Sequence, residues 1–137
     1  MAFLNTYDTL KEVKKLLGSV KNVKTLKIGI EPNISPSDYP IIRIVSTRNE
    51  LNDDDLWSYD IYFNVYFGAK LDEKIGLEKI YQTLYTMEKD IKEALHNVQI
   101  PKGDENGLIR FIDTQSDNDE LKNFKILCSG FKIISVR

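Results

Sequence analysis

At 137 residues, with 42% hydrophobic and 29% charged side chains, the chain has the length and composition of one soluble globular domain covering 1–137, able to bury about two thirds of its unfolded surface. Its 19 basic and 21 acidic residues give a net charge of −2 and are spread along the sequence, which argues against sequence-independent binding to DNA phosphates. No apolar run approaches the ~20 residues that cross a bilayer, and the single cysteine, Cys128, excludes an internal disulfide or a cysteine-rich zinc site.

The N-terminus, MAFLNTYDTLKEVKKLL, lacks the basic start, unbroken apolar stretch and cleavage site of a secretory signal, so an intracellular origin is expected. Leu10, Val13, Leu17 and Val20, with Tyr7 before them, recur at helical spacing. Thr6 or Asn5 offers a capping oxygen, Lys14 and Lys15 suit the negative end, and Gly18 is a good stop, which together predict a helix over Thr6 to Leu17. Lys24 to Glu31 alternates Leu26, Ile28 and Ile30 with polar positions and reads as a strand closed by Pro32. The segment NISPSDYP is a proline-broken connection to a β-branched strand, Ile41 to Thr47, followed by the long acidic loop RNELNDDDLW.

Tyr59 to Phe67 is the most informative segment, because a strand shows alternate side chains on opposite faces. Tyr59, Ile61, Phe63, Val65 and Phe67 form one face, predicted to be core, while Asp60, Tyr62, Asn64 and Tyr66 form the other. The second set is too polar for a dry core and rich in the tyrosine that favours protein contact surfaces; a half-exposed strand face with ordinary β propensity is the alternative. From Asp72 to Asn97 the period changes, and Leu77, Ile80, Leu84, Met87, Ile91, Leu95 and Val98 form one helical stripe. After Pro101 and a turn signal at Asn106-Gly107, strands are predicted at Leu108 to Asp113 and Phe124 to Val136 around the acidic loop TQSDNDELKN, with a bulge expected at Gly130. The expected fold class is α+β: two layers, a mostly antiparallel sheet with two helices on one face, order α-β-β-β-α-β-β.

No motif requires catalysis. His96, the one histidine, falls near a helix end and reads as a capping or solvent-facing residue; no glycine elbow surrounds a serine, and Cys128 reads as a buried structural thiol. Asp53, Asp54 and Asp55, and Asp113, Asp117, Asp119 and Glu120, offer oxygens suited to a hard cation, but neither run has EF-hand spacing and both read as solvated loops. Neither GxGxxG nor a Walker pattern is present, so no catalytic residue, metal or cofactor is expected.

The short N-terminal helix, the IEP…YPIIRI approach to the second strand, the SYDIYFNVYFG strand and the LYTMEKDIKEAL helix resemble the tail terminator and tail-to-head joining (tail completion) proteins of long-tailed bacteriophages over most of the chain. The resemblance implies a non-enzymatic structural protein of the virion tail, present in the host cytoplasm during assembly. It implies a hexameric homo-oligomeric ring that caps the tail tube and meets the head connector, with tail tube protein and connector proteins as partners and no membrane. DNA passes nearby without specific binding. Asp60, Tyr62, Asn64 and Tyr66 then become the candidate subunit interface, and Asp53, Asp54, Asp55, Asp117, Asp119 and Glu120 candidate lumen or docking loops. Two other readings stand beside it: a small intracellular α+β binding or regulatory module acting as a dimer, and a carboxylate-metal enzyme using Asp113, Asp117 or the Asp53 to Asp55 run.

Overall fold

A computed structural model describes residues 5–51, 59–103, 105–116 and 123–136. Helix α1 (Thr6–Leu17) has the bounds the sequence predicts, and Asn5 caps it, its Oδ1 accepting the Tyr7 N–H at 3.0 Å. Leu10, Val13 and Leu17 are buried as their spacing requires, whereas Tyr7 is 56% exposed. Helix α2 (Leu77–Leu95) starts later than the periodicity suggests. Asp72 is spent on the preceding turn, where its Oδ1 accepts the Lys74 N–H and its carbonyl accepts Ile75 and Gly76, and Gly76 at φ 93° breaks the helical path. Ile80, Leu84, Met87, Ile91 and Leu95 form its buried stripe; Leu77 lies outside it at 54% exposure.

The strands are β1 (Thr25–Ile28), β2 (Ile41–Leu51), β3 (Tyr59–Lys70), β4 (Gln99–Lys102), β5 (Glu105–Ser116) and β6 (Phe124–Val136), so the order is α-β-β-β-α-β-β-β. They form one mixed sheet in the order β1-β2-β3-β6-β5-β4, antiparallel except for the parallel pair β1 and β2. The expected α+β class is present and β2 pairs antiparallel with β3, but the sheet is not flat. The sheet curls into a half-barrel. Six strands about 4.8 Å apart would span roughly 24 Å if flat, yet α1 touches β1 and β2 at one edge and β4 at the other. Both helices share one core with Ile42, Ile44, Ile61, Phe63, Val65, Phe67, Phe131 and Ile133.

Four expectations are corrected. β1 stops at Ile28, because Gly29 turns away at φ 96° while its N–H still reaches the Ile44 carbonyl; Pro32 comes too late to be the stop. β4 carries Pro101 inside a short edge strand, where a missing donor costs no ladder bond. The β4 to β5 turn lies between Lys102 and Glu105, with Gly103 at φ 61°, while Asn106 and Gly107 are already in β5. A side chain on Gly107 would place its Cβ 2.5 Å from Ile133 Cγ2, so that glycine serves close packing and not the turn. Finally, β6 runs regularly past Gly130 against β3, with Leu127, Ser129, Phe131 and Ile133 all facing the core. The extra residue is Ile112 of β5, inserted between Phe111 and Asp113.

Near the far end of β6 a buried lysine ties three strands together. Lys102 is 4% exposed; its Nζ donates to the Tyr59 carbonyl and, at 2.7 Å, to Ser135 Oγ, which donates in turn to Glu105 Oε2 at 2.7 Å. Burial pushes the Lys102 ammonium below its ordinary 10.5, against the opposing pull of the Glu105 and Asp60 charges. In the window between that lowered value and 10.5 the unfolded chain binds more protons than the folded one, so this group makes stability rise with pH there. Urea unfolding from mildly alkaline pH to about 10.5 is expected to show this rise as the difference between wild type and Lys102→Met, the variant lacking it. The Cys128 thiol, held above 9.0 by burial, acts oppositely, losing stability as pH climbs past 9.0, but it is common to both proteins and cancels.

Candidate functional site

The alternation of β3 is what the sequence predicts. Ile61, Phe63, Val65 and Phe67 are all 0% exposed on the concave side, while Asp60, Tyr62, Asn64 and Tyr66 are half-buried on the convex side, away from the helices. Tyr59, expected in the core, is only partly buried at the strand's start.

Register places each convex residue among named neighbours. Tyr62 lies between Arg48 of β2 and Lys132 of β6, and Arg110 of β5 lies beyond Lys132. The Arg48 guanidinium sits 4.1 Å from the Tyr62 ring centroid in a cation–π contact. Asn64 stands between Val45 and Gly130, and its Nδ2 donates to the Tyr66 hydroxyl at 3.4 Å. A Cβ on Gly130 would come 2.9 Å from Asp113 Oδ1 and 3.5 Å from Asn64 Oδ1, so a side chain there would push the Asp113 carboxylate aside. Tyr66 lies between Arg43 and Cys128, and its hydroxyl hydrogen-bonds the thiol. Cys128 is thus half-buried on the convex face, not a core thiol; burial still raises its pKa, which keeps it protonated and poorly nucleophilic.

Asn64, Tyr66, Gln115, Ile126 and Cys128 rim a shallow, open hollow of about 240 Å³. Its mouth is wide and its lining mixes polar with apolar side chains, a shape suited to receiving a protruding side chain and poor for enclosing a small molecule. Asp60 differs from its three companions: its Oδ1 is shielded from water and has no hydrogen-bond partner among the described residues.

The convex face is less open than a bare sheet. The connection between β1 and β2 folds back across it, with a 3-10 turn at Pro36–Asp38 capped by Ser35 and a cis peptide at Tyr39-Pro40. Tyr39 stacks on Phe124 with ring centroids 4.5 Å apart. Arg43, on the same face as Tyr66, is 0% exposed under this cover. Its Nε and Nη2 donate to Glu31 Oε2 at 3.2 Å each, and its Nη1 donates to the Thr25 carbonyl, Thr25 Oγ1 and the Ile42 carbonyl at 3.2, 3.0 and 3.0 Å. All three guanidinium nitrogens are therefore used, and no pattern in the sequence marks this arginine, because its partners lie 12 and 18 residues away. The open part of the face is the patch from Tyr62 to Tyr66 with its neighbours on β2, β6 and β5.

The other sequence candidates fall elsewhere. Asp53, Asp54, Asp55, Asp117, Asp119 and Glu120 lie outside the described residues. Asp113 flanks the convex patch, where Gln115 Nε2 donates to its Oδ2 at 3.2 Å. Among the described residues no group of three or more His, Cys, Asp or Glu is placed to hold a metal ion. His96 does cap α2, but with a second role: its Nδ1 accepts the Phe111 N–H at 3.0 Å, occupying an outward donor of β5 just beyond the point where β4 ends. That bond places the acceptor lone pair on Nδ1. No helix among the described residues is long and apolar enough to cross a membrane.

No protein-family model matches the chain, and no curated protein sequence does. Its fold is found, at 11% identity and a TM-score of 0.55, in a chain of the virion of a native gene transfer agent particle, the match covering 94% of this chain and 90% of that one.

Proposed function

We propose that this chain is a structural virion protein that acts by assembly, forming a hexameric ring that caps a tail tube and joins it to the head connector. The observation that carries the reading is the likeness of the whole fold, over 94% of the chain, to a protein of a gene transfer agent virion. The non-enzymatic character of the reading fits a site built of tyrosine, asparagine and arginine side chains knitted to one another, with the histidine and the thiol both committed to structural contacts. Asp60, Tyr62, Asn64 and Tyr66 serve as one subunit surface, and the acidic residues Asp53 to Asp55, Asp117, Asp119 and Glu120 face the lumen or a docking partner, where their charge keeps DNA from adhering.

The test is solution mass of the purified protein together with electron microscopy of tail tubes incubated with it. Rings at tube ends are the expected result; a persistent dimer with no affinity for tube ends overturns the proposal. Replacing both Tyr62 and Tyr66 by Asp is expected to abolish assembly while the circular dichroism spectrum and melting temperature stay near those of the wild-type monomer, since both side chains lie outside the core. Unchanged oligomerisation would remove this face from the interface.

A further inference from the structure

The two edges of the sheet are covered only in part, and the uncovered stretches lie at opposite corners. β1 pairs with β2 over Ile41 to Ile44, and the last described bond on that side is from the Gly29 N–H to the Ile44 carbonyl. Beyond it β2 continues to Leu51 with no outward backbone partner among the described residues. At the other edge β4 pairs with β5 over Glu105 to Leu108; Asn97 and Val98 bond Ile109, and His96 takes the Phe111 N–H. From Ile112 to Gln115 no described residue pairs with the outer side of β5. Open strand edges are templates for another strand, and exposed apolar residues mark them here: Leu51 is 43% and Ile112 48% exposed.

The two stretches are different surfaces with matching chemistry. Arg48, on the β2 stretch, is exposed, and among the described residues its counter-ion is Glu50, in an exposed contact at 3.5 Å. Asp113, on the β5 stretch, has a glutamine amide and no described cation. Both sit on the convex face, in register with Tyr62 and Gly130 respectively. β2 and β5 run in opposite directions across the sheet, since two antiparallel pairings and a third separate them. A second copy related by rotation about an axis to which the strands are inclined presents its β5 antiparallel to this β2, the inclination supplying the offset along the strands, from the level of Tyr62 to that of Asn64, that separates Arg48 from Asp113; the contact is head-to-tail and leaves both edges usable by further copies.

We propose that the partner of the β2 edge is the β5 edge of a second copy of this chain, the two joined by a short antiparallel ladder in which Arg48 of one copy lies beside Asp113 of the next. The bulges at Thr47 and Ile112 limit this ladder to a few bonds, which favours a specific, reversible junction over open-ended fibre growth. This inference rests on the assembly proposed above and adds the strands that carry it.

Cysteine pairs test it in a Cys128→Ser background. Arg48→Cys and Asp113→Cys proteins, mixed and oxidised, should give a disulfide-linked dimer; the two substitutions in one chain should give a ladder of linked species ending at a closed ring, since opposed strand positions place Cβ atoms at disulfide distance. In parallel, Arg48→Asp and Asp113→Arg singly should weaken assembly about tenfold, and the double exchange should restore it. Normal assembly by mass with no linkage and no response to either charge reversal would overturn the edge contact while leaving the ring intact. A wild-type protein that stays monomeric at high concentration would overturn both.

Discussion

Phe131→Ala is expected to destabilise the protein by about 4 kcal/mol, measured as a lower urea midpoint with an unchanged slope. Phe131 is 0% exposed and lies between two other rings: Phe63 of β3, stacked with centroids 5.5 Å apart, and Phe111 of β5, edge-on at 67° and also 5.5 Å away. Removing it opens a void where three strands meet the helices, and the neighbours cannot collapse into it because Phe63 is itself fully buried and Phe111 is held from outside by Lys92, whose Nζ sits 4.6 Å above its ring. Against a total stability of roughly 5–15 kcal/mol, such a loss leaves a chain near its limit. Phe131→Leu, which retains most of the volume, should cost only about 1.5 kcal/mol.

Arg43→Ala is expected to cost about 3 kcal/mol, and to do so locally as well as globally. The side chain is fully buried, so truncation leaves a cavity and strands the Thr25 carbonyl and hydroxyl without their donor. Arg43→Lys should recover little, because one ammonium cannot reach Glu31 and Thr25 in the fork the guanidinium provides. β1 has only four residues in the sheet, and Arg43 fastens both its start at Thr25 and the segment beyond its end at Glu31. Amide hydrogen exchange in the variant should therefore accelerate in residues 25–29 before the core strands respond. The Glu31 carboxyl is held below 4.5, chiefly by its hydrogen bond to Lys27 and, against a burial effect, by Arg43, so the stability it adds is present above pH 4.5 and fades as pH falls through the lowered value.

Much of this architecture was legible because it is local and periodic. The helix from Thr6 to Leu17 announces itself by spacing, cap and stop, and the two faces of Tyr59 to Phe67 by simple alternation, which the structure reproduces residue for residue from Asp60 to Phe67. What stayed hidden depends on partners distant in sequence. The phase change around Gly130 was visible, but Phe124, Ile126 and Cys128 are the convex set of a regular strand, and the bulge lies opposite, at Ile112, where an isoleucine carries no sign of it. The edge strand at Gln99–Lys102 was masked by Pro101, a residue that forbids a central strand and tolerates an outer one. Arg43 in the run IIRIV gives no hint that a loop will fold over it. The convex tyrosine face was found by composition, but the extent of its cover by the Tyr39 segment, and the curl of the sheet, arise from packing that no short window contains.

The position of α1 has a consequence for how the chain folds. Its twelve residues are too few to persist as a helix alone in water, and the surfaces that bury Leu10, Val13 and Leu17 include β4, some ninety residues later in the chain. Helix α1 must therefore wait for β4, and loop closure over that distance is required before its apolar stripe is covered. The expected kinetics are those of a slow, high-contact-order folder in which docking of α1 comes late, as the clasp that holds the two ends of a curled sheet together.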